Sequence, residues 1–445
     1  MKRLVYLFVL WMLVPRLALA NGAWTVAAWY VDNGNSSGNA SDTNSCQDSG
    51  HPCATFAQVV ARLGTLEPYL GQSTTFSFLS SDTAELVNLR PFVTSNSATI
   101  TFLGVPTTTT TSVTALTSLN RSTGTFWTPT FANAITAGAY LDDTTAGAVS
   151  WAYSNVAGNQ WVTTQPITNN LPFTTQTPAE VNWGNGDSVS VLALPTVQIG
   201  EIRRQETQFN TNPLVVQRIQ IGGGLQSRFS GGVVVQESRI SQTVVFEGCT
   251  ARFQGLFNDD IEAEVVAANA CPGTVLYINA GGQRQPGSNP ILGQNIQVDG
   301  DFVANNFNTS GQGVYGNVGL FSGATWTVQN GRTTTSTAYG GPFVYTSSGT
   351  LNVAAGAHLV YPAGAGKAAA TFLGATLQIG GQTVACNGTG SNFLSGAGTV
   401  NASANCNITL TAAHLDAALG AAGFGGGAAS GGAWRPEQEA SITNF

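Results

Sequence analysis

The stretch GGVVVQESRISQTVVFEG, residues 231–248, sets the pattern that decides the fold. Short runs of β-branched or aromatic residues alternate with turns rich in Gly, Asn and Ser, and similar runs continue to about residue 410. One apolar position from each of four runs recurs at steps of 22, 22 and 24 residues: Leu276, Val298, Leu320 and Val344. A repeat of this length predicts a parallel β-solenoid, because each coil turns three corners before it returns to register.

The first twenty residues have the pattern of a secretory signal peptide. Lys2 and Arg3 precede an apolar run at residues 4–14, and residues 18–20 form a small-x-small cleavage site. That run is shorter than the roughly 17–25 residues of a membrane-spanning helix. The sequence therefore predicts a secreted or cell-surface protein with no transmembrane segment after cleavage.

The charge of the mature chain argues against a nucleic-acid partner. Cleavage after residue 20 removes Lys2, Arg3 and Arg16, which reduces the bases from 16 to 13 and leaves all 23 acids. The resulting net charge of −10 opposes binding to phosphate backbones, which proteins recognise with clusters of lysine and arginine.

The six cysteines form three sequence-local couples. An even number in an exported protein favours disulfides over metal binding, and no CxxC motif is present, so we expect no metal at the cysteines. The members of two couples are 22 and 20 residues apart, about one coil, which would place them on adjacent strands about 4.8 Å apart. We expect the pairs Cys46–Cys53, Cys249–Cys271 and Cys386–Cys406.

A strand and a helix are predicted near the mature N-terminus. The segment 27–42, AAWYVDNGNSSGNASD, gives a strand at residues 29–31 and then a polar loop. In PCATFAQVVARLG, residues 52–64, the apolar positions fall on one helix face, with Thr55 as N-cap and Gly64 as the stop: Phe56, Val59, Val60 and Leu63.

The YVD strand, the loop and the helix HPCATFAQVVARL resemble the opening of the pectin-lyase-like superfamily of secreted, surface or tail-spike-like proteins. In that superfamily a strand and a helix cover the open end of a right-handed parallel β-helix. The resemblance implies an all-β solenoid with short capping helices.

The chain divides into five predicted segments. Residues 1–20 are the signal peptide, and residues 21–106 hold the N-terminal cap and the first strands, TTFSFLSS and ATITFLGV. Residues 107–200 form a β-rich insert that contains Trp127, Trp151, Trp161 and Trp183. Residues 201–411 are the β-helix body, and residues 412–445 are a capping helix and a flexible Gly/Ala-rich tail.

The resemblance raises the question of a catalytic site. Hydrolases of the superfamily use clustered aspartates in motifs resembling N-T-D, D-D, G-H-G and R-I-K, and here only Asn258-Asp259-Asp260 resembles one of them. Its lyases use carboxylates that bind calcium, and Asp299 and Asp301 alternate onto one face of a predicted strand. Both pairs also fit structural roles, Asp259 and Asp260 as a surface acidic loop and Asp299 and Asp301 as turn residues.

Residues 201–264 concentrate charge in an otherwise weakly charged chain. They hold eight acids and six arginines, of which four are candidate ligand-binding residues: Arg218, Arg228, Arg239 and Arg252. On a solenoid these side chains would line one stretch of wall. Two interpretations stay open: a ladder of ion pairs, and a groove for an acidic glycan.

The sequence thus predicts a secreted or surface-exposed β-helix scaffold, adhesin-like or tail-spike-like, that binds a polysaccharide, a cell-surface glycan or another surface without cleaving it. We expect no cofactor, with calcium at Asp299 and Asp301 as the exception that the pattern leaves open. The alternative is a polysaccharide lyase or glycoside hydrolase that acts on an acidic polysaccharide. A third possibility is a purely structural coat protein.

Overall fold

The computed structural model describes most residues between 27 and 267 and, beyond them, chiefly strands. The described ranges are 27–64, 69–94, 98–119, 127–168, 179–204, 213–228, 232–247, 254–267, 276–283, 291–298, 302–304, 318–328, 333–336, 344–346, 350–353, 358–361, 368–379, 383–386, 392–402 and 407–409. From residue 283 onward the description covers the backbone only. The predicted signal peptide, capping helix 412–419 and tail lie outside these ranges.

One helix and five strands precede the insert. The helix is α1 (Phe56–Leu63), and the strands are β1 (Ala28–Val31), β2 (Tyr69–Leu70), β3 (Thr74–Phe78), β4 (Asp82–Thr94) and β5 (Ile100–Gly104). The strands of the insert are β6 (Thr107–Thr117), β7 (Thr128–Phe131), β8 (Tyr140–Asp143), β9 (Ala148–Ala157), β10 (Gln160–Thr163), β11 (Ile167–Thr168) and β12 (Ser188–Ala193).

The body contributes the remaining strands. They are β13 (Thr196–Arg204), β14 (Leu214–Gln217), β15 (Gln220–Ile221), β16 (Gln226–Arg228), β17 (Val233–Gln236), β18 (Arg239–Ile240), β19 (Val244–Glu247), β20 (Gln254–Ile261), β21 (Val265–Ala267), β22 (Leu276–Gln283), β23 (Ile291–Val298), β24 (Phe302–Ala304), β25 (Val318–Val328), β26 (Thr333–Ser336), β27 (Val344–Thr346), β28 (Thr350–Val353), β29 (His358–Tyr361), β30 (Ala368–Ile379), β31 (Thr383–Cys386), β32 (Asn392–Ala402) and β33 (Asn407–Thr409).

Strands β1–β5 and β13–β33 form one 26-stranded parallel sheet that is wound into coils. The first face stacks β3, β5, β14, β17 and the first part of β20. The second face stacks the start of β13 on β15, β18 and the end of β20, and the third stacks the end of β13 on β16, β19 and β21. The chain visits these three faces in turn, which confirms the predicted parallel β-helix.

The coils differ in length, and this changes the register that the sequence predicts. Leu214 pairs with Val233 and Val233 with Gln254, steps of 19 and 21 residues, whereas Ile296 pairs with Trp326, a step of 30. The expected column of Leu276, Val298, Leu320 and Val344 is wrong, since Leu276 pairs with Ile296, Val298 with Val328 and Leu320 with Thr346. Loops of unequal length join the faces, so a constant step in sequence does not follow one column.

Aliphatic side chains fill the interior of the coils. On the second face Val197, Ile221, Ile240 and Ile261 stack in register and are at most 1% exposed. Side chains alternate along a strand, so every second residue points into the core. Each β-branched side chain buried there contributes roughly 1.5–3 kcal/mol to the free energy of unfolding.

Helix α1 packs against the first strands, as predicted. The Thr55 hydroxyl accepts a hydrogen bond from the Gln58 amide, and the helix ends at Gly64, whose φ is 100°. The Phe56 ring lies 5.4 Å from that of Phe76 and 5.9 Å from that of Phe102, between ring centroids. A disulfide joins Cys46 to Cys53 in the preceding loop and confirms that pair. The predicted pairs Cys249–Cys271 and Cys386–Cys406 lie outside the residues whose side chains are described.

The insert is a small antiparallel barrel. Strands β7, β6, β12, β8, β9 and β10 pair in that order, and β10 closes the ring by pairing again with β7, while β11 adds to β9. Three predicted tryptophans fill its interior with Phe131: Trp127, Trp161 and Trp183. The fourth, Trp151, belongs to a second apolar cluster with Tyr140 and Leu192. Alternation along β8 and β9 thus gives the barrel two apolar faces, one inside and one outside.

Candidate functional site

The barrel occupies one corner of the solenoid, between the first and second faces. The chain leaves the first face at Gly104 and returns to the second at Thr196, which pairs with Gln220. In the next two coils the same corner spans only the residues between Gln217 and Gln220 and between Gln236 and Arg239. Gly104 has no room for a side chain, because a Cβ there would lie 2.0 Å from the carbonyl oxygen of Arg218.

The short corners share an unusual backbone conformation. Arg218, Glu237 and Asn258 have φ values of 53°, 52° and 53°, in the left-handed region. Outside glycine this conformation costs roughly 1–2 kcal/mol per residue, and Asn tolerates it better than Arg or Glu. These corners therefore hold their shape only because the surrounding contacts impose it.

The outer apolar face of the barrel rests on these corners. The indole Nε1 of Trp151 donates a hydrogen bond to the backbone carbonyl of Asn258, and the Tyr140 ring packs 4.7 Å from that of Trp151. The Arg218 guanidinium lies over the Tyr140 ring, 5.8 Å from its centroid. All the aromatic partners here are buried, so the contact between barrel and solenoid is closed to bulk solvent.

A buried ion pair lies beneath this contact. Arg218 Nε donates to Glu237 Oε2 at 2.9 Å, and the Glu237 side chain is 1% exposed. Burial raises the pKa of the Glu237 carboxyl, and the Arg218 guanidinium opposes that rise. Burial also raises the pKa of the Tyr140 hydroxyl well above its usual range, and the nearby charge of Glu237 adds to the effect.

Asp259 and Asp260 lie in strand β20, 1% and 2% exposed, so their interpretation as a surface acidic loop is wrong. The Asp259 carboxylate accepts from the amides of Ser238, at 2.8 Å, and Phe257, at 3.0 Å. Burial raises its pKa well above the usual range, against the effect of those two amides. Asp260 Oδ2 accepts from Arg239 Nε at 2.9 Å. Both carboxylates thus accept hydrogen bonds from groups within the protein.

Arg239 joins the solenoid to the barrel. Besides Asp260, its Nε lies 3.8 Å from Glu262 Oε1, and its Nη2 donates to the carbonyl of Gly138 in the barrel. The guanidinium therefore has two carboxylates and one carbonyl around it. Its positive charge is balanced from within the chain.

Beside Arg239 a cleft of about 230 Å³ opens between barrel and solenoid, which we call the junction cleft. Its polar lining consists of three threonines of the barrel and two residues of the solenoid: Thr107, Thr109, Thr136, Gln220 and Arg239. Residues 191–194 add an apolar floor. Thr107 and Thr109 lie on β6, which pairs with β12, so these threonines and the apolar floor belong to one sheet of the barrel.

The remaining predicted site residues fall partly outside the described residues. Asp299, Asp301 and Arg252 lie there, and of Arg228 only the backbone is described, paired with Arg203 and Glu247. Across the part of the chain that is described, no three His, Cys, Asp or Glu side chains gather where they could bind a metal. Within that same part, no helix has the length and apolar character needed to cross a membrane.

Sequence reasoning missed the main residues of this junction. Tyr140 and Glu237 did not stand out, because each is ordinary in its local stretch, and Trp151 was noted only as one of the four tryptophans of the insert. Thr107 and Thr109 belong to a conspicuous Thr-rich run, residues 107–111, at the start of the predicted insert. The Thr-rich run itself was the nearest sequence signal, and in the structure its first four residues are exposed.

Comparisons with known proteins give one distant likeness. No protein-family model matches the chain, so none supports the pectin-lyase-like superfamily, and no curated protein matches it either. Among solved structures it is similar to the Gp54 tailspike of Acinetobacter baumannii bacteriophage AP22, in complex with A. baumannii capsular saccharide. The sequences are 11% identical, and the match covers 77% of this chain and 61% of the tailspike chain, with a TM-score of 0.23. At that TM-score the likeness carries no argument about function.

Proposed function

We propose that this protein is a secreted or surface-exposed β-helix scaffold that binds a neutral glycan in the junction cleft and does not cleave it. The observation that carries the proposal is the cleft itself, with its threonine hydroxyls, its glutamine amide and its apolar floor. Hydroxyl and amide groups pair with sugar hydroxyls, and an apolar floor suits the C–H face of a pyranose ring.

The size of the cleft favours a single sugar unit of a longer chain. Its volume of about 230 Å³ is below the roughly 300–1,000 Å³ of pockets that enclose a drug-sized ligand. One shallow subsite gives weak binding, on the order of millimolar, or about −4 kcal/mol. Useful avidity would then come from several copies or several contacts along one polymer.

The charge around the cleft favours a neutral ligand over an acidic one. Arg239 is the one cleft-lining residue with a positive charge, and Asp260 and Glu262 already balance it. Arg218, the other described candidate for an acidic glycan, is paired with Glu237. An added carboxylate would have to displace these partners, and the chain as a whole is acidic.

The described carboxylates do not favour the lyase or hydrolase alternative. Glycoside hydrolysis needs two carboxyl groups on opposite sides of the scissile bond. Asp259 and Asp260 are consecutive, buried and bound to backbone amides and to Arg239, respectively. Neither is among the residues that line the junction cleft.

Affinity electrophoresis of the mature chain, in gels that contain neutral or acidic polysaccharides chosen on a glycan array, tests the proposal. We expect retardation by at least one neutral polysaccharide. The double variant Thr109→Val/Gln220→Ala removes two hydrogen-bonding groups and should weaken binding by roughly tenfold. Thr108→Val is the matched control, because Thr108 is exposed on the same strand and does not line the cleft.

Two results would contradict the proposal. One is retardation that is equal in wild type and the double variant, which would place the ligand elsewhere. The other is release of reducing ends or unsaturated uronate from an acidic polysaccharide, abolished by Asp259→Asn or Asp260→Asn. That second result would establish the enzymatic alternative.

A further inference from the structure

Asp82, the first residue of β4, has an unusual environment. Its side chain is 0% exposed, and it lies in register with Val197 at the end of the aliphatic column on the second face. Neither of its carboxyl oxygens accepts a hydrogen bond of normal geometry. An ionised carboxylate is disfavoured in such a place, because burial removes its water and the nearby amides of Ala84 and Glu85 replace that water only in part.

A bulge in β4 brings a second carboxyl group to the same place. Asp82 pairs with Val197 and Val87 with Ile199, so residues 83–86 have no counterparts on β13 and loop out of the sheet. Bulges of this kind redirect side chains. This one carries Glu85 to the N-terminus of α1, where its carboxylate accepts from the amides of Phe56 and Ala57. Glu85 thereby ties the helix to the solenoid.

The Glu85 carboxyl group lies close to that of Asp82. Burial, followed by the charge of Glu85, raises the pKa of Asp82 to about 7. Three other charged groups near α1 have their own partners: Asp42 accepts from Thr55, Arg62 donates to the carbonyl of Asp42, and Asp32 accepts from Ser36 and Ser37. Glu201, on the neighbouring strand β13, carries no positive charge. Among the described residues, none with a positive charge forms an ion pair with Asp82 or Glu85.

We propose that Asp82 and Glu85 form a proton-dependent latch for the helix that covers the solenoid. With a proton on Asp82, its hydroxyl donates to the Glu85 carboxylate, and that carboxylate in turn holds the first amides of α1. Without the proton, two negative charges face each other behind the helix, and the contact that ties α1 down is weakened.

The direction of the pH effect follows from the two states of Asp82. In the open state its carboxyl is hydrated and titrates near its ordinary value of 3.8, whereas in the closed state it titrates near 7. Closure is therefore strongest in acid, weakens as pH rises between those two values, and changes little above the higher one. Each pH unit within the window changes the opening equilibrium by up to about tenfold.

Hydrogen exchange of the mature chain, followed by mass spectrometry, measures this opening in the peptide that covers α1. Exchange times are scaled with pH so that the intrinsic rate is constant. Asp82→Asn mimics the protonated side chain and keeps its shape. We expect the opening equilibrium constant of wild type, divided by that of Asp82→Asn, to rise roughly ten- to hundredfold between about pH 5 and about pH 7.5. Asp48→Asn, an exposed site in the loop before α1, is the control of equal charge and should behave as wild type.

The latch proposal would be overturned if the ratio of wild-type to Asp82→Asn opening were the same at both pH values. It would also be overturned if α1 were less protected in Asp82→Asn than in wild type at the higher pH. Glu85→Gln gives a second measurement that does not depend on the folding of the first variant. It removes the like charge, so its pH response in α1 should be smaller than that of wild type. An undiminished response in Glu85→Gln would also overturn the proposal.

Discussion

In the coil that contains β5, the corner between the first and second faces is a closed barrel, residues 107–193, whereas in the next coils it is a turn of two residues. The two versions begin and end at equivalent places, since Leu103 pairs with Gln217 and Thr196 with Gln220. A solenoid corner therefore accepts a whole subdomain when the exit and the return stay in register.

The short corners differ from ordinary turns because the barrel lies on them. Their left-handed residues are Arg218, Glu237 and Asn258 rather than glycines. Each contributes something to the contact: Arg218 a guanidinium over Tyr140, Glu237 the charge that balances it, and Asn258 a carbonyl for Trp151. In this protein, strained corners therefore occur where they provide groups for a neighbouring unit.

The strongest way to break the junction is Trp151→Ala. The side chain is 1% exposed and anchors the barrel to Asn258, so its loss should lower the free energy of unfolding by about 3–5 kcal/mol. Urea denaturation measures the loss, and limited proteolysis should then cut between barrel and solenoid. Val156→Ala on the same strand, at an exposed position, should change little. Equal stability of the two variants would mean that the barrel does not depend on this contact.

The next largest effect should come from Arg218→Met, which leaves Glu237 buried without its partner. We expect a loss of about 3 kcal/mol at neutral pH. The pKa of Glu237, already raised by burial, rises further in this variant, so the deficit should shrink in acid as the carboxyl takes a proton. Thermal unfolding across pH tests this. The double variant Arg218→Met/Glu237→Gln should recover most of the stability, and a pH-independent deficit would argue against a buried unpaired charge.

The smallest effect tests the strained backbone itself. Asn258→Val puts a β-branched residue at a φ of 53° and should lower the free energy of unfolding by about 1–2 kcal/mol. Asn258→Gly relieves the strain and keeps the carbonyl that Trp151 uses, so it should stay within about 1 kcal/mol of wild type. Equal losses in both variants would show that the Asn side chain, rather than the backbone conformation, matters at this corner.

Local patterns predict the elements of this fold well and their spatial arrangement poorly. Helix α1 and strands β1, β3 and β5 follow from periodicity and capping, and the tryptophan-rich insert is where its composition suggests. Strand β4 was missed because it is bulged and mixes polar with apolar residues.

The site depends on a contact that no local pattern contains. Asp259 and Asp260 resemble a surface loop in sequence, because acidic residues beside Asn are typical of exposed turns. They are buried because the corner turns them inward and the barrel covers it from outside. The same holds for the junction cleft, whose two walls come from segments about a hundred residues apart, for instance Thr136 and Arg239.

The most direct test of the account is a crystal structure of the mature chain soaked with the neutral oligosaccharide that the glycan array selects. We predict that a sugar ring lies on the apolar floor of the junction cleft, with hydroxyls bonded to Thr109, Thr136 or Gln220 and with the Arg239–Asp260 pair intact. Sugar density elsewhere on the solenoid wall with an empty cleft, or a barrel that is detached from the corner, would contradict the account.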